Sequence, residues 1–486
     1  MPIDLKDVNI DFQDRKYKTM LENLQGNILK GHGRDLTIHL FVKFTAQPNF
    51  VKGWIRHFSD QFVISAKQQL QETSEFKAFK IPGGLFCNFF LSSLGYEDIF
   101  GLTGEELKNL FPEPDEDETG VNFVKGMEAS QQELNDPSPE TWEAGYRGRQ
   151  IHAMILLADD DENFLLRRAR QVLFQIRTVG LVLAVEHGRA LRNKQNQGIE
   201  HFGYADGVSQ PLFLKSDIER EEKLIGIDKW NPSAPLELAL IKDPNTTTEN
   251  CFGSYFVFRK LEQNVRGFKQ REKELAEALG LEGEDEERAG ALVVGRFEDG
   301  TPIVLQKDAP QQPAVPPLNN FKYDIDDPEA IKCPFHAHIR KTNPRGDIAK
   351  NIPIPPDEEK NERSRRIVRR GITYGIRQDD PNADIPPEQR PTKDVGLLFM
   401  CFQSSIPRQF GFMQKSWANN VNFVNQETGR DPVIGQKGSE DSVPQTWAAE
   451  WNQPETEKKP FDFGEFVTLK GGEFFFAPSI PFLKSL

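Results

Sequence analysis

Three short segments combine side chains that are costly to bury with residues that bend the backbone. In Glu200-His-Phe-Gly-Tyr-Ala-Asp-Gly-Val-Ser-Gln-Pro211, Gly203, Asp206 and Gly207 form a G-x-x-D-G arrangement. Glycines on both sides of a carboxylate allow a tight turn that presents Asp206 into a cavity, although an Asp capping a surface turn has the same local pattern. The second segment is Cys333-Pro-Phe-His-Ala-His-Ile-Arg-Lys-Thr-Asn-Pro-Arg345. His336 and His338 are two apart, on opposite sides of a strand or far apart around a helix, so one metal ion can hardly take both. A single His facing an apolar pocket suits haem iron, whose equatorial ligands come from the porphyrin. A zinc ion would need three or four converging protein ligands, a spacing that neither Cys333 nor the other histidines offers. The third segment, Arg365-Arg-Ile-Val-Arg-Arg-Gly-Ile-Thr-Tyr-Gly375, is basic around Ile367 and Val368. Strand alternation predicts that one of Arg369 and Arg370 turns inward while the other stays in water. A buried Arg requires an anionic partner; a peroxide, a haem propionate or Asp206 would serve.

The elements that must position these segments follow from hydrophobic periodicity. Leu36, Ile38, Leu40, Val42 and Phe44 alternate, which predicts a strand over Asp35 to Phe44. Phe50, Val51, Trp54, Ile55, Phe58, Phe62 and Val63 recur at helical steps. Strands are expected over Gly84 to Leu91, His152 to Leu157 and Val179 to Val185, with a helix over Glu162 to Ile176. The order β-α-β-β-α-β over the first ~190 residues is that of a ferredoxin-like unit. The second half repeats the theme: a strand over Ser254 to Phe258, a charged helix over Leu261 to Leu279, a strand over Gly396 to Phe402, a partly helical Ile406 to Trp417 and a final strand over Glu473 to Ala477. Pro310 to Pro317 and Pro353 to Arg366 read as surface loops, the Asp357 to Glu362 charge run as a solvated face, and the acidic run Glu113 to Glu118 as part of an irregular stretch.

A length of 486 residues is enough for two or three packed units. Sixty Lys and Arg against 74 Asp and Glu give a net charge of −14, a field that repels a polyphosphate backbone and disfavours nucleic acid as partner. The apolar runs are strand-sized, too short for a membrane span. Charges through the first twenty residues leave no signal-peptide apolar core, and four cysteines without a C-x-x-C pair suit reduced thiols, so a cytoplasmic location is expected. No G-x-G-x-x-G follows an early strand, which disfavours a dinucleotide fold.

Taken in order, G-x-x-D-G, H-I-R-K-T-N-P-R, R-R-G-I-x-Y-G and Gly396-Leu-Leu-Phe-Met-Cys-Phe-Gln403 resemble the dye-decolorising peroxidase family of haem enzymes. Leu24-Gln-Gly-Asn-Ile-Leu29 and Gly471-Gly-Glu-Phe-Phe-Phe-Ala-Pro-Ser479 are also similar to that family, so the resemblance spans nearly the whole chain. It implies an α+β fold of two ferredoxin-like modules, antiparallel sheets with helices on one face, with one haem b per chain in the second. The corresponding division is 1–210, ending in the G-x-x-D-G segment, and 211–486. The resemblance makes His338 the proximal iron ligand, since it directly precedes Ile-Arg-Lys, and leaves His336 as the local ambiguity. Asp206 matches the distal acid-base, Arg369 the distal arginine, and Leu397 and Phe399 the apolar pair walling the distal pocket. Tyr374 and Trp417 fall where some relatives carry oxidisable surface residues, but ordinary packing roles are the favoured reading. The implied activity is reduction of hydrogen peroxide through an oxo-ferryl haem, with dyes, phenols and other one-electron donors as reductants. A carboxylate in the acid-base role, with a reference pKa near ~3.9 against ~6.5 for imidazole, leads to the expectation of an acidic optimum. A non-catalytic haem-binding or haem-transfer protein on the same fold is the competing reading.

Overall fold

The computed structural model describes residues 2–113, 120–351, 358–381, 383, 385–437 and 443–486, with the backbone alone at 350, 351 and 358–360. Most of the acidic run ending at Glu118, and the start of the run from Asp357, lie outside the described residues.

Eight strands carry the fold: β1 (Leu36–Phe44), β2 (Phe86–Ser92), β3 (Ala153–Asp159), β4 (Gly180–Arg189), β5 (Phe252–Gln263), β6 (Ile372–Tyr374), β7 (Gly396–Gln403) and β8 (Val467–Ala477). In the first half the spatial order is β4-β1-β3-β2, and in the second β6-β7-β5-β8, every pair antiparallel. Each half has the ferredoxin-like strand order. The two sheets also join edge to edge, Phe475 of β8 opposite Ser92 of β2 and Tyr374 of β6 opposite Gly188 of β4. Both pairs of edges are thereby covered and the eight strands close into a ring, which removes the unpaired edges that two separate sheets would expose.

Phenylalanine fills the ring. Phe41 meets Phe258 at 4.7 Å between ring centroids, Phe90 meets Phe256 at 4.4 Å and Phe256 meets Phe402 at 4.7 Å, so strands of both halves share one interior. The opposite faces bind helices. Helix α1 (Pro48–Phe62) buries Val51, Ile55 and Phe58, with Phe58 against Phe89 of β2 at 5.9 Å. Helix α2 (Glu162–Ile176) starts where the Asp161 carboxylate accepts the Phe164 N–H, and it buries Leu165, Ala169, Val172 and Ile176. Helix α3 (Val265–Leu279) begins four residues later than the expected Leu261, because β5 keeps its ladder with β7 and β8 out to Gln263 and Asn264 then caps the helix through Gly267 N–H.

Two side chains, Gln25 and the partly buried Arg370, bind the N-terminal segment to the ring. Gln25 gives its amide N–H groups to the carbonyls of Phe89 and Pro478 and takes the Phe89 N–H. Arg370 donates to the Asn27 and Ile28 carbonyls. The expectation that one arginine of the pair turns inward while the other stays in water is corrected for Arg370. Arg370 does point away from Arg369, but into backbone carbonyls rather than solvent. Glu362 likewise departs from the solvated face expected of its charge run: it is buried and accepts the Gly346 N–H. Among the described residues no helix is long and apolar enough to cross a membrane.

Candidate active site

Outside the ring, against the second half of the sheet, lies a cavity with about 1510 Å³ of atom-free space, part of it open to solvent. Alternation builds its floor. On β7, Leu398 and Met400 are buried toward the ring while Leu397 and Phe399 turn to the cavity, and Leu261 of β5, paired opposite Leu397, lies on the same floor.

His338 enters from α4 (His338–Thr342), only five residues long. So short a helix has no stability of its own, and tertiary contacts must place it. Arg340 is fully buried and fixes it: its guanidinium donates to Asp347 at 2.7 and 2.8 Å and to Asp327 at 2.9 Å, and it stacks 4.4 Å from the Tyr323 and Phe335 rings. Lys341 adds bonds to the Trp417 and Asn420 carbonyls. The His338 ring is held by Asp431, with Nδ1 2.8 Å from the buried Oδ2. The other carboxylate oxygen of Asp431 accepts the Val433 and Ile434 N–H groups at 2.7 and 3.0 Å. Burial raises the Asp431 carboxyl, but the His338 charge and these bonds outweigh it and hold the group below its ordinary range. Nδ1 being occupied, His338 presents Nε2 to the cavity. Ala337 is extended, so His336 faces elsewhere: it is buried, edge-on to Trp447 at 4.4 Å, and lines a different cavity.

Asp206 sits between Gly203 (φ 106°) and Gly207 (φ 74°), in the left-handed region that favours glycine. Its Oδ1 accepts the Gly207 N–H at 2.6 Å and the Arg369 Nη1–H at 3.1 Å. Arg369 ends the short strand Val368–Arg369 beside β7, with its N–H on Gln210 Oε1 at 3.1 Å. His338, Asp206, Arg369, Leu397 and Phe399 thus all line one cavity. Tyr374 and Trp417 do not. Tyr374 is 7% and Trp417 4% exposed, a burial that agrees with the packing reading of these two residues and not with the surface one. Tyr374 ends β6 beneath the Lys260 ammonium, and Trp417 packs on Phe412 and Phe423 in the wide helical turns after Pro407.

Sequence reasoning missed Asp431 and three arginines. Arg296, Arg345 and Arg366 line the cavity and are buried, yet among the described residues none is ion-paired with a carboxylate. Desolvation lowers Arg345 to about 9 and Arg296 to about 10, and pulls Arg366 below its ordinary value. Buried guanidiniums without counter-charge are costly, and a guest bearing carboxylates would offset that cost. One imidazole with its second nitrogen fixed, an apolar floor and these cations fit a haem with its two propionates. Among the described residues no group of His, Cys, Asp or Glu side chains gathers as a metal-ion site.

No family model matches the chain. It is 44% identical over 477 residues to the multifunctional dye peroxidase DyP2 of Amycolatopsis sp., covering 96% of each. A crystal structure of the DyP-type peroxidase of Anabaena sp. superposes with a TM-score of 0.87 at 44% identity, over 99% of this chain and 98% of that one. The DyP2 structure from Amycolatopsis sp. gives 0.88 at 42% identity over all of both chains. Similarity of this extent, running through every segment that builds the cavity, shows that the chain belongs to the dye-decolorising peroxidase family of haem enzymes.

Proposed function

We propose that the chain reduces hydrogen peroxide and oxidises dyes, phenols and other one-electron donors, with His338 as the residue that would hold the haem iron, Asp206 as the acid-base and Arg369 as the charge stabiliser. The observation that carries this reading is that His338, backed by Asp431, and the Asp206–Arg369 pair line one cavity. A haem b, one per chain, would supply a redox-active iron with an open coordination position for peroxide. Arg296, Arg345 and Arg366 would hold its carboxylates and His338 Nε2 its iron.

Asp206 moves the proton. Its Oδ1 is engaged by Gly207 N–H and Arg369 Nη1–H, so Oδ2 is the oxygen that takes a proton from bound peroxide and returns it to the departing oxygen. Arg369 commits only Nη1 to Asp206; Nε and Nη2 remain for the negative charge that builds as the O–O bond breaks. Asp431 keeps the His338 proton on Nδ1 and makes the ring a better donor at Nε2. Leu397 and Phe399 restrict the space to a small oxidant, so bulky dyes react outside this pocket.

Stopped-flow mixing of the haem-loaded protein with peroxide tests the reading. Asp206→Asn should retain haem and slow the reaction by about 10²–10⁴-fold, the usual worth of a positioned acid-base. An unchanged rate overturns the role of Asp206. A wild-type protein inert to peroxide would instead be a haem carrier.

A further inference from the structure

Arg369 reaches the main cavity on a long side chain that is 34% exposed, and among the described residues one bond, from Nη1 to Asp206, holds its guanidinium. Such a side chain has many rotamers, so where its tip lies depends on where the backbone starts it. That backbone has little support of its own. Val368–Arg369 is a strand of two residues that pairs with β7, Arg369 opposite Cys401. The next N–H, of Arg370, reaches the Met400 carbonyl of β7 at 2.7 Å. Successive N–H groups of a strand point to opposite sides, so the Arg369 N–H faces away from β7. Gln210 meets it there. Its Oε1 accepts this N–H at 3.1 Å, where a further strand would have supplied a carbonyl.

Gln210 can serve as a fixed point because its own segment is pinned on both sides. Before it, Asp206 N–H binds the Gly198 carbonyl at 3.0 Å. After it, Leu212 N–H binds the Pro232 carbonyl at 3.0 Å and the Leu212 carbonyl accepts the Ala234 N–H at 2.8 Å. Between these anchors the Ser209 hydroxyl oxygen accepts from Arg345 Nη2 at 2.8 Å and from Asn343 Nδ2 at 3.3 Å. The loop from Asp206 to Gln210 thus grips Arg369 twice, at the guanidinium through Asp206 and at the main chain through Gln210, and both gripping residues line the main cavity.

We propose that Gln210 is a positioning residue for Arg369, an inference that rests on the part given to Arg369 in peroxide cleavage. Gln210 holds the start of the arginine side chain at a set distance from Asp206, so that the guanidinium meets the acid-base and the departing oxygen together. Misplacing a reacting group by about 1 Å can cost on the order of 10²-fold in rate, so a bond remote from the oxygen that is cleaved still bears on the reaction.

Steady-state kinetics of the haem-loaded full chain with hydrogen peroxide and guaiacol, read for Gln210→Leu, Arg369→Leu and the variant carrying both, test it. Leucine fills much of the space of the glutamine and removes its acceptor. Gln210→Leu should lower kcat/KM for peroxide by roughly tenfold, one lost bond compounded by a displaced guanidinium, and leave kcat/KM for guaiacol within about twofold. The double variant should react with peroxide no more slowly than Arg369→Leu alone, because a guanidinium that is absent cannot be misplaced. Should Gln210→Leu fail to fold, Gln210→Met, unbranched and of similar length, takes its place in the same cycle. A wild-type constant for peroxide in Gln210→Leu beside a slow Arg369→Leu overturns the positioning role alone. So does an equal fall in both constants, or a double variant roughly tenfold slower than Arg369→Leu. Arg369→Leu reacting as fast as the wild type removes the role of Arg369 itself, and that of Gln210 with it.

Discussion

Replacing Asp431 by Asn should weaken haem binding and raise its reduction potential without disturbing the fold. The asparagine carbonyl can still accept the Val433 and Ile434 N–H groups, so the turn that Asp431 closes survives. The amide NH₂ then meets His338 Nδ1, where the carboxylate now sits 2.8 Å away. Two donors cannot pair. Either the bond is lost, or the ring proton moves to Nε2, the nitrogen that must be bare to bind iron. A hydrogen bond to a charged group is worth about 1.5–3 kcal/mol, and at ~1.4 kcal/mol per tenfold this corresponds to a loss of roughly 10–150-fold in haem affinity. The assay is titration of haem into cofactor-free protein, followed by Soret absorbance, with circular dichroism as the check on folding. Spectroelectrochemistry gives the potential, which should rise because a less basic imidazole stabilises ferric iron less. A variant with wild-type affinity and potential would refute the reasoning.

Arg340→Met removes the guanidinium between Asp347 and Asp327 and leaves two buried carboxylates uncompensated; unfolding in urea should show a loss of about 3–5 kcal/mol. Arg369→Leu should bind haem normally but react with peroxide about 10²–10³-fold more slowly, as read by stopped flow. Glu473, on β8, is raised from 4.5 to about 7 by burial, against the opposing Met127 and Phe474 N–H bonds. A raised carboxyl favours the folded state fully below about 4.5, and that contribution is lost as pH climbs through about 7. Glu473→Gln should therefore remove about 3 kcal/mol of the wild type's decline in stability between pH 5 and 8, measured by denaturant unfolding at both.

The strands were legible because each has one face in the Phe-rich interior. Leu36 to Phe44 alternates plainly and forms β1 within a residue of the expected bounds. The ring was not legible, since periodicity reports which face is buried and not which edge finds which; the seams rest on short pairings such as Phe475 with Ser92 and Tyr374 with Gly188. Asp206, Arg369 and His338 stood out through their bent or charged neighbourhoods. Asp431 did not, being 93 residues beyond His338, although Asp431-Pro432 followed by two free N–H groups is the local mark of a carboxylate-closed turn. The two arginines after Val368 misled because the strand ends at Arg369, and alternation has no hold on the next residue. Glu362 misled because a charge run shows composition alone, whereas the Gly346 N–H behind it needed an acceptor.

His338, and not His336, is proposed to take the iron. Resonance Raman and absorbance spectra of the haem-loaded His338→Ala and His336→Ala proteins test it most directly. His336→Ala should keep the iron–imidazole stretch and full haem occupancy, while His338→Ala should lose the stretch and hold haem weakly. Loss of the stretch in His336→Ala with its retention in His338→Ala would place the iron on His336 instead.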